Sequence, residues 1–507
     1  MYRTDWVKRN ARYYPQKTAF HWVPTQERWT YAQCDVLGSR LAEWLHETYG
    51  VTKGDRVGIL AENTMAHVWL FLAAQKAGYV LVPLNYRLAP AEVAYMVENS
   101  QPKVVFVQPS LAEYAVLWNC PAPETQEVEA HTTAWKHLPY QMSYAEPDPL
   151  PEDAPLMILF TSGTTGKPKG AIISHKMVTW NAINTAHRLD LTTGDVSFNA
   201  APFYHTGGWN VLLAPFLLHG ATTLLLDRFD PAQILSLIET ERMTIIWGVP
   251  TMMAMLADHP NFEQTDLASV RYTIVGGEPM PIPLIQRYHE KGIAIRQGFG
   301  MTEVGPNCFS LPEEDAIRKA GSIGFPNFYI DTRIVNDAGE DVPTGEAGEL
   351  WMRSPVVTPG YWRNPEATAQ SITNGWFHTG DMMRVDEEGY FYVAGRKKDM
   401  YISGGENVYP AEVEKVLYSH PQIHEAAVVG VPDAKWGESG FAFVVIKSET
   451  NLTTQDVQDF CRKHLAKYKI PRHVQVVAEL PKGHSGKIQK IDLTKIALDI
   501  LQSETNP

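Results

Sequence analysis

The sequence predicts an α/β protein built from more than one compact unit, and three observations carry that prediction. Short apolar runs rich in β-branched residues alternate with helix-like stretches as far as Val275. Near Gly321 the texture changes to short strands separated by turn residues. A second, smaller alternation of helix and strand begins near residue 400. The expected architecture is therefore a large N-terminal domain of two α/β layers plus a β-rich subdomain, followed by a small α+β C-terminal domain. A chain of 507 residues has room for this at about 100 to 200 residues per domain.

Taken in order, Arg56 to Leu60 reads as a buried strand, Ala66 to Lys76 as a helix, Tyr79 to Pro83 as a strand, Pro90 to Asn99 as a helix and Lys103 to Val107 as a strand. Strand, helix, strand at this pitch marks a parallel sheet covered by helices. Leu156 to Phe160 is another buried-strand run, and the rhythm returns at Ala221 to Leu226, Pro231 to Glu241, Thr244 to Gly248, Pro250 to Ala257 and Tyr272 to Val275. The turn clusters Asn336 to Glu340 and Asp386 to Gly389, with the run Gly345 to Arg353, outline the β-rich part. The last unit opens with a helix over Pro410 to Ser419 and a strand over Glu425 to Val429.

Composition narrows the function. Hydrophobic residues make up 44% and charged residues 20%, which excludes disorder. The net charge of −13 argues against a protein that grips nucleic-acid backbones over a wide surface, while leaving room for small anionic ligands. Four scattered cysteines form no C-x-x-C pair, so a reducing compartment and no cysteine zinc site are expected. The charged N-terminus lacks the apolar core of a signal peptide, and the longest apolar stretch, Val211 to Leu226, is broken by Pro215, His219 and Gly220. A cytoplasmic protein without a transmembrane segment is expected.

The segment with the most chemistry is Thr161-Ser162-Gly163-Thr164-Thr165-Gly166-Lys167-Pro168-Lys169-Gly170, directly after a buried-strand run. Its glycines allow tight turns and close approach, its hydroxyls and free N–H groups can donate to phosphate oxygens, and its lysines add charge. The spacing is not that of a Walker A loop, which places four residues between the first glycine and the Gly-Lys pair. Gln297-Gly298-Phe299-Gly300-Met301-Thr302-Glu303 sets an aromatic ring, close-approach glycines, a hydroxyl and a carboxylate suited to a hard cation in one short loop.

The phosphate-loop decapeptide resembles that of the adenylate-forming superfamily, which includes acyl-CoA synthetases, firefly-type luciferases and the adenylation domains of peptide synthetases. Further motifs follow in the family's order over nearly the whole chain. The loop Gln297 to Glu303 is similar to the second nucleotide segment, with Phe299 where the family usually has Tyr. The resemblance implies ATP contacts at Thr161, Ser162, Gly163, Thr164, Thr165, Gly166 and Lys169, at Gly298, Phe299, Gly300 and Met301, and at the adenine-flanking turn Gly277, Glu278 and Pro279. It implies catalytic roles for Thr302 and Glu303, with Glu303 also the Mg²⁺ ligand, and a ribose clamp of Asp381 and Arg396. A carboxylate accepting from two hydroxyls and a guanidinium donating to the same diol would hold the sugar from both sides.

The same resemblance implies an N-terminal domain over 1–395, a hinge at 396–400 centred on Asp399, and a mobile C-terminal domain over 401–507 carrying the catalytic Lys487. Ser403, Gly404 and Gly405 resemble the lining of the path by which the CoA thiol enters, and His205, Trp209 and Val249 the acyl pocket. Amino-acid-activating relatives carry an acidic residue near that pocket, whereas this chain has Phe203, Tyr204 and His205.

The activity implied is that of an AMP-forming acyl-CoA synthetase using ATP, Mg²⁺ and coenzyme A, with a medium- or long-chain fatty acid as the first expectation. Aryl-acid CoA ligation, loading of a carrier protein, and a nucleotide sensor without turnover are the alternatives. A homodimer is the oligomer the resemblance suggests.

Overall fold

The computed structural model describes residues 5–137, 150, 151, 153–161, 167–278, 280–447, 452–482 and 488–505. It divides into two compact units, the first comprising Met1–Thr332 with Met352–His378 and the second Arg333–Trp351 with Thr379–Pro507.

In the first unit, one five-stranded sheet runs in the order Val104–Val107, Arg56–Leu60, Val80–Leu84, Pro155–Thr161, Lys169–Ser174. Its first four strands are parallel, and the last folds back antiparallel as a hairpin. Helix Met65–Ala77 is buried along its whole length, as an apolar sequence without a polar face requires. It begins at the Thr64 side-chain cap and stops at Gly78, whose φ of 75° ends the helix in a left-handed turn. A second sheet orders Ile245–Gly248, Tyr272–Val275, Ala294–Met301, Gly305–Ser310 and Phe325–Pro326, its first three strands parallel. A smaller sheet joins Thr18–Trp22 to Thr222–Leu225 and Val196–Asn199.

The second unit is organised on the antiparallel pair Ile423–Asp433 and Gly437–Ile446. Side chains alternate along it: Ala426, Val428, Ala442 and Val444 enter one core, whereas Ala427, Val429, Phe441 and Phe443 enter another. The first of these strands extends well past the Glu425 to Val429 run expected from sequence. Alternation with small residues such as Gly430 on the Tyr401 side lets pairing continue past the end of the apolar run.

Cys34, Cys308 and Cys461 are buried free thiols and Cys120 is half-buried. Burial pushes all four thiols up, Cys120 and Cys461 to about 11. Among the described residues no helix is long and apolar enough to cross a membrane.

Candidate active site

Two hairpins of the first unit bring the predicted phosphate and cation residues together. The first joins Pro155–Thr161 to Lys169–Ser174 with Thr161 directly opposite Lys169; Ser162, Gly163, Thr164, Thr165 and Gly166 lie outside the described residues. The second joins Ala294–Met301 to Gly305–Ser310. That turn needs glycine twice. A Cβ on Gly300 would sit 2.3 Å from the Gly305 carbonyl oxygen, and Gly305 adopts φ 80°.

Glu303 sits in this second turn, only 7% exposed. Its Oε1 accepts from the Thr161 hydroxyl at 3.2 Å and from the Tyr361 hydroxyl at 3.1 Å. Its carbonyl accepts the Thr358 N–H at 2.7 Å. The Lys169 ammonium lies 5.4 Å from the Tyr361 ring centroid. Burial, and next the neighbouring Glu303 carboxylate, push the Tyr361 phenol up, so it remains a donor. Thr302 and Met301 are partly exposed beside Glu303.

This donor set fits magnesium. A hard cation takes oxygen ligands and is commonly held by one or two carboxylates with substrate phosphates. Glu303 offers a carboxylate with one oxygen anchored by two hydroxyls, and among the described residues no group of three or more His, Cys, Asp or Glu gathers as an all-protein cage.

The predicted adenine-flanking turn packs beside the second hairpin. Val275 pairs with Gln297, and a Cβ on Gly276 would meet the Gly298 carbonyl at 3.5 Å. Gly277 has φ 89°, Glu278 is exposed and Pro279 lies outside the described residues. Buried Gln297 ties the turn down, accepting from the Met280 N–H at 3.1 Å and donating to the Ser322 carbonyl at 3.2 Å. Phe299 stands edge-on to Phe309 with centroids 5.8 Å apart.

On the acyl side, Val249 is 39% exposed and would contact a Cβ on Gly277 at 3.4 Å. His205 stands at the N-cap position before helix Thr206–Asn210 and its ring lies 4.6 Å from that of Tyr204. Trp209 is wholly buried against Phe71 and Phe203, so it backs this segment rather than lining an open surface. Trp247 is buried beside this segment: its Nε1 donates to the Phe198 carbonyl at 3.0 Å, and its ring would meet a Cβ on Gly207 at 3.4 Å.

In the second unit Asp381 and Arg396 are register partners on adjacent antiparallel strands, with Nε 2.7 Å from Oδ1. Thr379 orients this pair, its hydroxyl donating to the Leu350 carbonyl at 2.8 Å and accepting the Asp381 N–H at 3.1 Å. Asp399 ends the short 3₁₀ turn Lys397–Asp399, in which Lys397 pairs with Asp337 at 2.8 Å and Glu349 at 3.2 Å. Ser403 is buried, and Gly404 and Gly405, at φ 63° and 87°, make a tight hairpin turn in which a Cβ on Gly404 would strike Trp436 at 2.7 Å. Lys487 lies outside the described residues.

The structure thus brings Thr161, Lys169 and Glu303 together, and separately Asp381 with Arg396. Sequence reasoning missed Tyr361 and Thr358. The available signal was Thr358-Pro359-Gly360-Tyr361-Trp362, a glycine bend followed by two aromatics in a polar stretch.

Residues 7–362 match the family model described as AMP-binding enzyme, and residues 412–487 match the AMP-binding enzyme C-terminal domain. A feruloyl-CoA synthase of Amycolatopsis is 40% identical over 494 residues, covering 96% of this chain and 97% of the relative. A long-chain-fatty-acid–CoA ligase of Mycobacterium tuberculosis is 36% identical over 491 residues, covering 96% of each. Among solved structures, the o-succinylbenzoate coenzyme A synthetase of Bacillus subtilis in complex with ATP and magnesium ion superposes with a TM-score of 0.84 at 31% identity, covering 97% of this chain and 99% of that one.

Proposed function

Since the chain belongs to the AMP-binding enzyme family, matched in both its main and its C-terminal regions, we propose that it is an AMP-forming ligase joining an aryl carboxylic acid to coenzyme A. Acid–CoA ligation is the activity named for relatives that span nearly its whole length. The observation that carries the reading is the cluster in which the Thr161 and Tyr361 hydroxyls donate to Glu303 while the Lys169 ammonium lies over the Tyr361 ring, a place where a triphosphate and its metal would be held.

In the first step a carboxylate oxygen attacks the α-phosphorus of ATP and pyrophosphate leaves, giving acyl-AMP. Thr161, Lys169 and the loop between them hold the phosphates, and Glu303 would hold magnesium, which when bound would neutralise phosphate charge. Gly277 and Phe299 flank the adenine, and Asp381 with Arg396 engages the ribose. Lys487 brings an ammonium to the charge gathering on the phosphate oxygens. In the second step the CoA thiol attacks the acyl carbon and AMP leaves. Rotation about Asp399 withdraws Lys487 and presents Ser403, Gly404 and Gly405 to the incoming thiol. A carboxylate is a poor electrophile, and exchanging oxide for AMP as the leaving group is the reason for two steps.

Sequence alone put a fatty acid first. We place an aryl acid ahead of it because we read Trp247, whose Nε1 donates to the Phe198 carbonyl and whose ring lies beside Gly207, as a wall of the acyl pocket. A wall of that kind suits a flat, compact acid better than a long chain. The feruloyl-CoA synthase relative points the same way. A cytoplasmic homodimer completes the proposal, and sedimentation of purified protein reports the oligomer.

The test is pyrophosphate release with MgATP and a panel of aryl, fatty and amino acids, each with and without CoA. Release with aryl acids, and a thioester only when CoA is present, is the expected result. Release without thioester would move the acceptor to a carrier protein, and silence across the panel would sink the reading.

A further inference from the structure

The segment Thr358 to Trp362 lies against the outgoing strand of the phosphate hairpin as an extra edge. The Ile172 N–H donates to the Gly360 carbonyl at 3.0 Å, the Trp362 N–H donates to the Gly170 carbonyl at 2.7 Å, and Tyr361 bridges Ala171. The Tyr361 N–H donates to Thr368 Oγ1 at 2.9 Å, and the Thr358 hydroxyl donates to the Ile172 carbonyl at 2.7 Å. Gly360, at φ 142°, leaves no room for a side chain, since a Cβ there would lie 2.5 Å from Thr368 Cγ2. The Arg56 guanidinium lies 5.5 Å from the Trp362 ring centroid, and Trp362 packs on the core around Leu60 and Val80. Backbone pairing and anchoring on both sides therefore fix the position of the Tyr361 ring to the hairpin that carries Thr161 and Lys169.

From that fixed position the Tyr361 hydroxyl reaches Glu303 on the other hairpin, 58 residues earlier in sequence, while its ring faces the Lys169 ammonium. We propose that Tyr361 is a positioning residue: it holds the Glu303 carboxylate and the Lys169 ammonium in the one arrangement that receives a metal-bearing triphosphate. The proposal rests on the reading of Glu303 as the carboxylate that takes magnesium. Pre-aimed groups need not be ordered when the ligand arrives, and a phenol donating to a carboxylate oxygen limits that carboxylate to a narrow range of rotations. Thr161 alone cannot do this, because its hydroxyl also lies 3.4 Å from the Lys169 carbonyl and can turn between the two acceptors.

The test is calorimetric titration of the full-length protein with ATP, in excess magnesium and again in a chelator, for the wild type, Tyr361→Phe, Glu303→Gln and the double variant. Tyr361→Phe keeps the ring, and an unchanged melting temperature verifies the fold. We expect Tyr361→Phe to weaken MgATP binding by about tenfold, the scale of one hydrogen bond to a charged group, while metal-free ATP binds as before. In the Glu303→Gln background the same change should cost nothing more. Equal weakening with and without magnesium, or full additivity in the double variant, would show Tyr361 to be a packing residue only and overturn the proposal. Wild-type protein that binds ATP equally in magnesium and in chelator would overturn the metal reading of Glu303, and the proposal with it.

Discussion

Asp381 and Arg396 face each other across two antiparallel strands, the guanidinium Nε 2.7 Å from a carboxylate oxygen that is itself almost wholly buried. The strand register, rather than a loop, sets this separation. In the proposed ribose site, a diol would meet an acceptor and a donor already aligned. Asp381→Asn, which keeps shape and removes charge, should raise the KM for ATP by about tenfold with a smaller change in kcat, as loss of a charge-assisted hydrogen bond implies. Initial rates of pyrophosphate release at varied ATP provide the check, and an unchanged KM would remove Asp381 from the nucleotide site.

Lys487→Ala should nearly abolish formation of acyl-AMP, yet leave thioester formation from preformed acyl-AMP within a few-fold of wild type. The two half-reactions are assayed separately, and equal loss in both would refute the assigned role.

Trp247→Ala should shift acid preference towards longer chains, with the KM for a ten- or twelve-carbon acid falling while that for a hydroxycinnamic acid rises about tenfold. The wall would then be open beside Gly207. An unchanged ranking across the acid panel would mean that Trp247 does not bound the pocket.

Burial holds His67 down at about 3 and His175 at about 4, so both are neutral in the folded protein. The unfolded chain binds a proton at each near pH 6.5, so their contribution to stability is complete above that pH and falls as the pH drops towards 4. Each histidine contributes a slope of at most about 1.4 kcal/mol per pH unit in that window. Melting temperature between pH 7.5 and 5 should fall for the wild type and fall less steeply for His67→Gln; identical slopes would contradict the buried neutral state of His67.

Much of the first unit was legible because its signals are local. The parallel layers follow from apolar runs such as Arg56–Leu60 and Val80–Leu84, whose observed limits lie within a residue or so of the expected ones. Thr161, Lys169 and Glu303 were found because glycines and hydroxyls crowd into short motifs. Tyr361 was not, since its partner strand Lys169–Ser174 lies far back in the chain and edge pairing leaves no periodic trace. Trp209 shows the converse limit: its segment was recognised, but only packing reveals that Phe71 and Phe203 enclose its ring. Trp247 lies two residues before Val249 in sequence, but only packing places its ring beside the backbone of Gly207.

The state of the four thiols also gives experimenters a quiet background. Three are shielded, and the fourth, Cys120, is half-covered and held largely protonated at neutral pH, so maleimide dyes should react slowly with the native chain. A cysteine placed at an exposed position of the first unit and another beyond Asp399 could then be labelled without first stripping the native ones. Fluorescence recorded between the two dyes during turnover would turn the proposed pivot at Asp399 into a signal followed in real time.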